Sequence, residues 1–151
     1  MAREPAKARA RPCPTCPFRR DCPSGLWAPE EYDRLLAYDG EIADQAMAGG
    51  GLDPFHCHTA PDALCSGWAG HRPAHELLAI RIGVAVGRVA ASVMRYTTTV
   101  PLFGSGAEAA EHGKRDMRHP GAAARRAVTK IVRARAAAGE PVRVDGEERL
   151  R

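Results

Sequence analysis

Apolar residues recur at helical spacing in three stretches of the chain, with a capping signal for a fourth helix. The first quarter shows no regular period. In "APEEYDRLLAYDG", residues 28–40, Tyr32, Leu35 and Leu36 share one face. Pro29 suits a first helical turn, Glu30 and Glu31 complement the positive end of the dipole, and Asp39-Gly40 provides a stop. From Ala74 to Ala91, Leu77, Leu78, Ile80, Val84, Ala85 and Val89 cover most of a helical circumference. That pattern predicts the main core helix, largely buried. Gly83 and Gly87 weaken it locally and permit close packing.

Ser105-Gly106-Ala107-Glu108 fits a capping box, with a hydroxyl at the N-cap and a carboxylate three residues on. The helix it starts is expected to run to about Glu111, with Gly113 past its end. "HPGAAARRAVTKIVRARAAAG" encodes a last helix, with Pro120 near its start and Gly139 at its stop. Ala124, Val128, Ile131 and Val132 form its inward side.

The connecting segments read differently. Residues 1–11 carry Arg and Lys without periodicity and are expected to be a flexible basic tail. Residues 12–27, rich in Pro, Gly and Cys, should be an irregular loop. Residues 47–54 read as a flexible connection, "FHCH" at 55–58 as a brief extended segment, and "TTTVPLF" at 97–103 as extended because Pro101 breaks any helix. Residues 140–151 form a C-terminal tail, a short strand or a mobile end. The expected fold is therefore mainly α. It is one small domain over residues 12–139, with three or more helices and an irregular Cys-rich N-terminal half clamped by a metal.

Composition explains why a clamp is wanted. With 151 residues and only 5% aromatics, the core must draw on Ala, Val, Leu and Ile, and small thin cores gain from a staple. The net charge of +4 permits an acidic partner without demanding one. "MAREPAKARAR" has no apolar stretch behind it, so no secretory signal is expected. "LLAIRIGVAVG" is too short for a membrane span and contains Arg81. The expected location is the cytoplasm. There thiols stay reduced, so clustered cysteines point to metal or redox chemistry rather than disulfides. The odd count, five, agrees.

Those cysteines carry the main chemical signal. Cys13 and Cys16 form a C-x2-C knuckle, and Cys57 and Cys65 a second pair spaced C-x7-C. A C-x2-C turn aims two thiolates at one point, and two such arms close a tetrahedral sulfur site for zinc. The same thiolates suit an iron–sulfur cluster as the alternative cofactor. Cys22 and His58 are alternative ligands or neighbours of the site. Cys22 reads as a free thiol. His58, adjacent to Cys57 on extended backbone, points the other way and suits hydrogen bonding around the ligands. Arg19 and Asp21 read as a charge pair bracing the loop.

"PCPTCPFRRDCPSGLW", "FHCH", "CSGWAG" and "PLFGSGAEAAEHG" resemble an uncharacterised small cysteine-motif family of high-GC bacteria and their phages. Its pattern is P-C-x2-C-P-aromatic-R-x-D-x-P-x-G, then F-x-C-H, then C-x-G-W. The resemblance spans roughly residues 12 to 113. Cys13, Cys16, Pro17, Phe18, Arg19, Asp21, Pro23, Gly25, Phe55, Cys57, His58, Cys65, Gly67 and Trp68 fall on it, and Cys22 falls at a variable position. It implies a shared metal site and brings no established activity.

A second feature is basic. Between residues 114 and 135 stand Lys114, Arg115, Arg118, Arg125, Arg126, Lys130, Arg133 and Arg135. On a helix Arg126, Lys130 and Arg133 form a stripe that suits nucleic-acid phosphates or a solvated face. No aromatic residue interleaves them, which argues against base stacking. The chain lacks a zinc-protease signature, a phosphate loop and a nucleophile motif. A four-sulfur site also leaves no open coordination position. The functional expectation is thus a structural-zinc binding or regulatory module contacting nucleic acid or another protein. An iron–sulfur redox or sensing protein is the rival. An enzyme built on Cys22 and His58 is the least supported.

Overall fold

The computed structural model describes residues 3–140 and Leu150. Among these described residues the α-helices are α1 (Pro29–Asp33), α2 (Ile42–Met47), α3 (Ser66–Gly70), α4 (Leu78–Ala85), α5 (Gly106–Lys114) and α6 (Ala122–Ala137), with 3₁₀ turns at Arg34–Tyr38, Ala74–Glu76 and Ala91–Arg95. Among the described residues extended segments meet only as isolated bridges. The expected mainly helical small domain is what forms. The segment 141–149, expected as tail, lies outside the described residues. Leu150 is buried and takes the Ala28 amide on its carbonyl at 2.8 Å.

Few aromatics are present, yet Trp27, Trp68, Tyr32, Phe18 and Phe55 are all fully buried. They touch edge to face: Phe18 on Phe55 at 6.5 Å, and Tyr38 on both Phe55 at 6.0 Å and Trp68 at 5.2 Å. Such pairs add to the area each ring buries. The cysteines lie within this same core.

The α1 region starts at Pro29 and continues as 3₁₀, burying Tyr32, Leu35 and Tyr38. Leu36, expected on that face, is exposed. α5 packs against it. Ser105 Oγ accepts the Glu108 amide at 3.1 Å, as the capping box predicts. The Glu108 carboxylate instead takes the Gly104 amide at 3.0 Å, and Asp39 accepts the amides of Gly106 and Ala107 at 2.6 and 2.8 Å. α5 runs to Lys114, past the expected stop, because Gly113 lies against the Tyr32 ring, where a side chain would collide.

Two expectations need correction. The stretch 74–91 is not one buried helix: α4 ends at Ala85, Gly87 adopts φ +75°, and the chain reverses so that Val89 packs on Gly83. Ile82 and Val86 are exposed as a result. The supposed free tail also lies along the body from residue 3. Ala6 exchanges backbone hydrogen bonds with Arg88 and Ala90 at 2.8 and 2.9 Å, and Lys7 accepts from Leu64 at 2.9 Å. α2 was not anticipated. Its buried Gln45 donates to the carbonyls of Gly40 and Glu76 and accepts the Leu78 amide at 3.0 Å, which ties α2 to the start of α4.

Candidate metal centre

The first cysteine arm is a run of turns. The Cys16 amide donates to the Cys13 carbonyl at 2.9 Å, Arg19 to Cys16 at 3.0 Å, and Cys22 to Arg19 at 3.2 Å. The amides of Phe18 and Arg19 also point at Cys16 Sγ. Arg19 clamps Asp21 through two bonds of 2.7 Å and reaches the Pro12 carbonyl at 3.0 Å, bracing this loop.

The second arm is a small hairpin. His56 bridges Leu64 antiparallel, Cys57 donates to Ala63 at 2.9 Å, and Cys65 donates to Phe55 at 2.8 Å. Alternation across extended backbone puts Cys57 and Cys65 on the face opposite His56 and Leu64. That is how the loose C-x7-C spacing brings two thiols to one side.

The arms meet sulfur to sulfur. Cys16 Sγ lies 3.5 Å from Cys65 Sγ, and Cys13 pairs with Cys57. The sulfurs meet two by two, and among the described residues no set of three or more His, Cys, Asp or Glu side chains is already arranged to hold an ion. A hydrogen bond from the Cys13 thiol draws Cys57 down, helped by Thr59 and Arg9, and one from Cys65 draws Cys16 down. Cys13 and Cys65 are raised in turn by these partners and by burial. Four buried thiols cannot all ionise without a cation among them.

Other groups serve these sulfurs. The Trp68 amide donates to Cys65 Sγ at 3.4 Å. Thr59 Oγ1 is 3.3 Å from Cys57 Sγ and Thr15 Oγ1 3.7 Å from Cys13 Sγ. Arg9 approaches Cys57 Sγ at 3.6 Å. Sequence reasoning missed all three side chains. The threonines had a signal, since each stands two residues after its cysteine (C-P-T and C-H-T). Arg9 had none. Gly67 completes the cradle: a Cβ there would fall far inside contact with Cys16 Sγ and stand 3.1 Å from Phe18 Cβ.

His58 and Cys22 stand apart from the sulfur pairs. His58 Nε2 meets Glu31 Oε2 at 3.2 Å, its ring lies 4.0 Å from that of Trp27, and this contact holds the Glu31 carboxyl below its ordinary range. Cys22 Sγ donates to the Pro23 carbonyl at 3.6 Å, and burial pushes its thiol up to about 12. Arg126, Lys130 and Arg133 are exposed along α6, where they line a shallow groove with Ala122, Arg125 and Thr129. No helix among the described residues is long and apolar enough to cross a membrane.

The architecture defines a small, mainly helical domain with two buried thiol pairs, Cys16–Cys65 and Cys13–Cys57, where two loops meet. The chain belongs to the Family of unknown function (DUF6283), which matches residues 8–135 and so includes both cysteine arms and most of α6. No curated protein and no solved structure matches it.

Proposed function

We propose that the protein is a structural-zinc module of the cytoplasm, with Cys13, Cys16, Cys57 and Cys65 as ligands. In this reading α6 presents Arg126, Lys130 and Arg133 to nucleic-acid phosphates. The observation that carries the zinc reading is the meeting of the two arms. The 3.5 Å between Cys16 and Cys65 sulfurs approaches the edge of about 3.8 Å that a tetrahedron of 2.3 Å zinc–sulfur bonds requires. A [4Fe–4S] cluster, with one thiolate on each iron, holds its four thiolates much farther apart, whereas a [2Fe–2S] cluster, with two thiolates on each iron, keeps the same short edge within each pair, so metal analysis decides between zinc and that form.

The surroundings support the same reading. Backbone amides of Phe18, Arg19 and Trp68 are aimed at thiolate sulfur, and the side chains of Arg9 and Thr59 add positive ends of dipoles and charge. Such donors around the ligands stabilise bound thiolates. Trp68 is fully buried beside Cys65 and excludes water. Four sulfur ligands leave no open position, so the ion's task is to join two loops across a thin core, not hydrolysis.

Single replacement of each ligand by Ser, followed by zinc analysis and thermal melting, tests the assignment. Each is expected to lower zinc content and stability, while Cys22→Ser lowers neither. Full zinc content in both Cys57→Ser and Cys65→Ser would overturn it.

A further inference from the structure

The C-terminal helix leans on the cysteine loops. Among the described residues no other helix packs extensively against α6. Its apolar side, with Ile131 buried and Val128 partly so, rests on the core, and Arg135 carries its contact with the second cysteine arm. Arg135 donates to the His58 carbonyl at 3.3 Å, one residue after Cys57, and its guanidinium lies 5.9 Å above the Trp27 ring.

Trp27 is itself held by the first arm. Its indole N–H donates to the carbonyl of Thr15, between Cys13 and Cys16, at 3.0 Å. The His58 ring lies tilted against the same indole at 4.0 Å, and its Nε2 is held by Glu31. Two of the surfaces that Arg135 touches are thus carried by ligand loops, one from each arm. Tying the cysteines together adds a constraint on these loops beyond their own backbone hydrogen bonds and the Arg19–Asp21 brace.

We infer that Arg135 couples the docking of α6, and with it the Arg126–Lys130–Arg133 stripe, to occupation of the four-sulfur site. The inference rests on the zinc reading above. It makes the site a regulatory one. With the sulfurs tied together, the His58 carbonyl and Trp27 face Arg135 and α6 is seated. With them released, the loops relax, the charge-assisted hydrogen bond is lost, and α6 with its phosphate-facing stripe becomes free to move. Zinc availability would thereby reach the basic surface without touching it.

Hydrogen exchange followed by mass spectrometry on the full chain tests this in three samples: zinc-loaded wild type, wild type stripped by a chelator, and zinc-loaded Arg135→Gln. Zinc content is measured first in each. Peptides covering 122–137 report on α6 and those covering 106–114 on α5.

In Arg135→Gln, zinc is expected at the wild-type level, α5 protection unchanged, and α6 exchange faster by about tenfold, the size of one hydrogen bond to a charged group. Chelation should expose α6 at least as much. Loss of α5 protection together with α6 on chelation would mean global unfolding and would overturn a coupling specific to α6. Unchanged α6 protection in Arg135→Gln, or α6 protection that survives chelation, would overturn the coupling. A wild type that holds no zinc would sink the metal reading instead, and the zinc analysis shows that before any exchange is measured.

Discussion

Replacing Gly67 by Ala probes the cradle with one methyl group. Gly67 lies in α3 without a positive φ, so its backbone accepts Ala, and in an open helix the change would stabilise by about 0.5–1 kcal/mol. Here the added Cβ collides with Cys16 Sγ, with Phe18 Cβ at 3.1 Å and Cys16 Cβ at 3.7 Å behind it. To reach ordinary contact the sulfur must retreat by roughly an ångström, several times the ~0.2 Å tolerance of a metal–ligand distance. Overpacking of that kind costs about 1–3 kcal/mol before any loss of metal is counted. For a domain of this size about 2 kcal/mol lowers Tm by roughly 4–8 °C. Gly49→Ala, where nothing lies within 4 Å of the new atom, is the matched control. Zinc stoichiometry and differential scanning calorimetry on both variants provide the assay. Gly67→Ala should lose zinc and melt early while Gly49→Ala does neither. A Gly67→Ala protein with full zinc and an unchanged or raised melting temperature would refute the argument.

Burial lowers the His71 pKa to about 4 from an ordinary 6.5. The neutral ring's contribution is therefore complete above pH 6.5 and lost as pH falls toward 4, about 3 kcal/mol in all. His71→Asn should remove that part of the acid sensitivity in denaturant titrations across this window, and an unaltered difference between pH 7 and pH 4 would contradict it. Gly113→Ala pushes a methyl into the Tyr32 ring, whose hydroxyl accepts the Trp27 amide at 3.1 Å. It should destabilise by about 1–3 kcal/mol in urea unfolding despite better helix propensity, and a stabilised variant would show that the contact is soft. Changing Arg126, Lys130 and Arg133 together to Gln should flatten the salt dependence of DNA or RNA binding by about two to three units in log–log slope with zinc retained. Wild-type protein without affinity for either at low salt would eliminate the nucleic-acid proposal.

The parts legible in the sequence are those with local causes. Ser105 and Glu108 mark the start of α5 because a cap acts within one turn, and Gly139, at φ +71°, marks the end of α6 for the same reason. The C-x2-C turn is equally local. The C-x7-C arm was readable as a pair, but its hairpin became intelligible only from the bridge between His56 and Leu64. What was not legible depends on partners far away in sequence. α4 stops early because Val89 returns to Gly83, and α5 continues through Gly113 because Tyr32 occupies the space a side chain would need. Residues 3–9 look like solvated charge, yet their backbone finds partners at Leu64 and Arg88, and Arg9 reaches Cys57. Period and charge describe side chains and carry no sign of such backbone pairing.

Metal analysis of wild-type protein purified anaerobically, read with its visible absorption spectrum, tests the central claim most directly. Anaerobic handling matters because air can destroy a cluster and let zinc replace it. The account predicts one zinc per chain, no inorganic sulfide and a colourless solution, with the zinc lost when any of Cys13, Cys16, Cys57 or Cys65 is changed to Ser. Iron with inorganic sulfide and absorption near about 400 nm would contradict it in favour of an iron–sulfur centre. Metal-free protein with an unchanged melting temperature would contradict it outright.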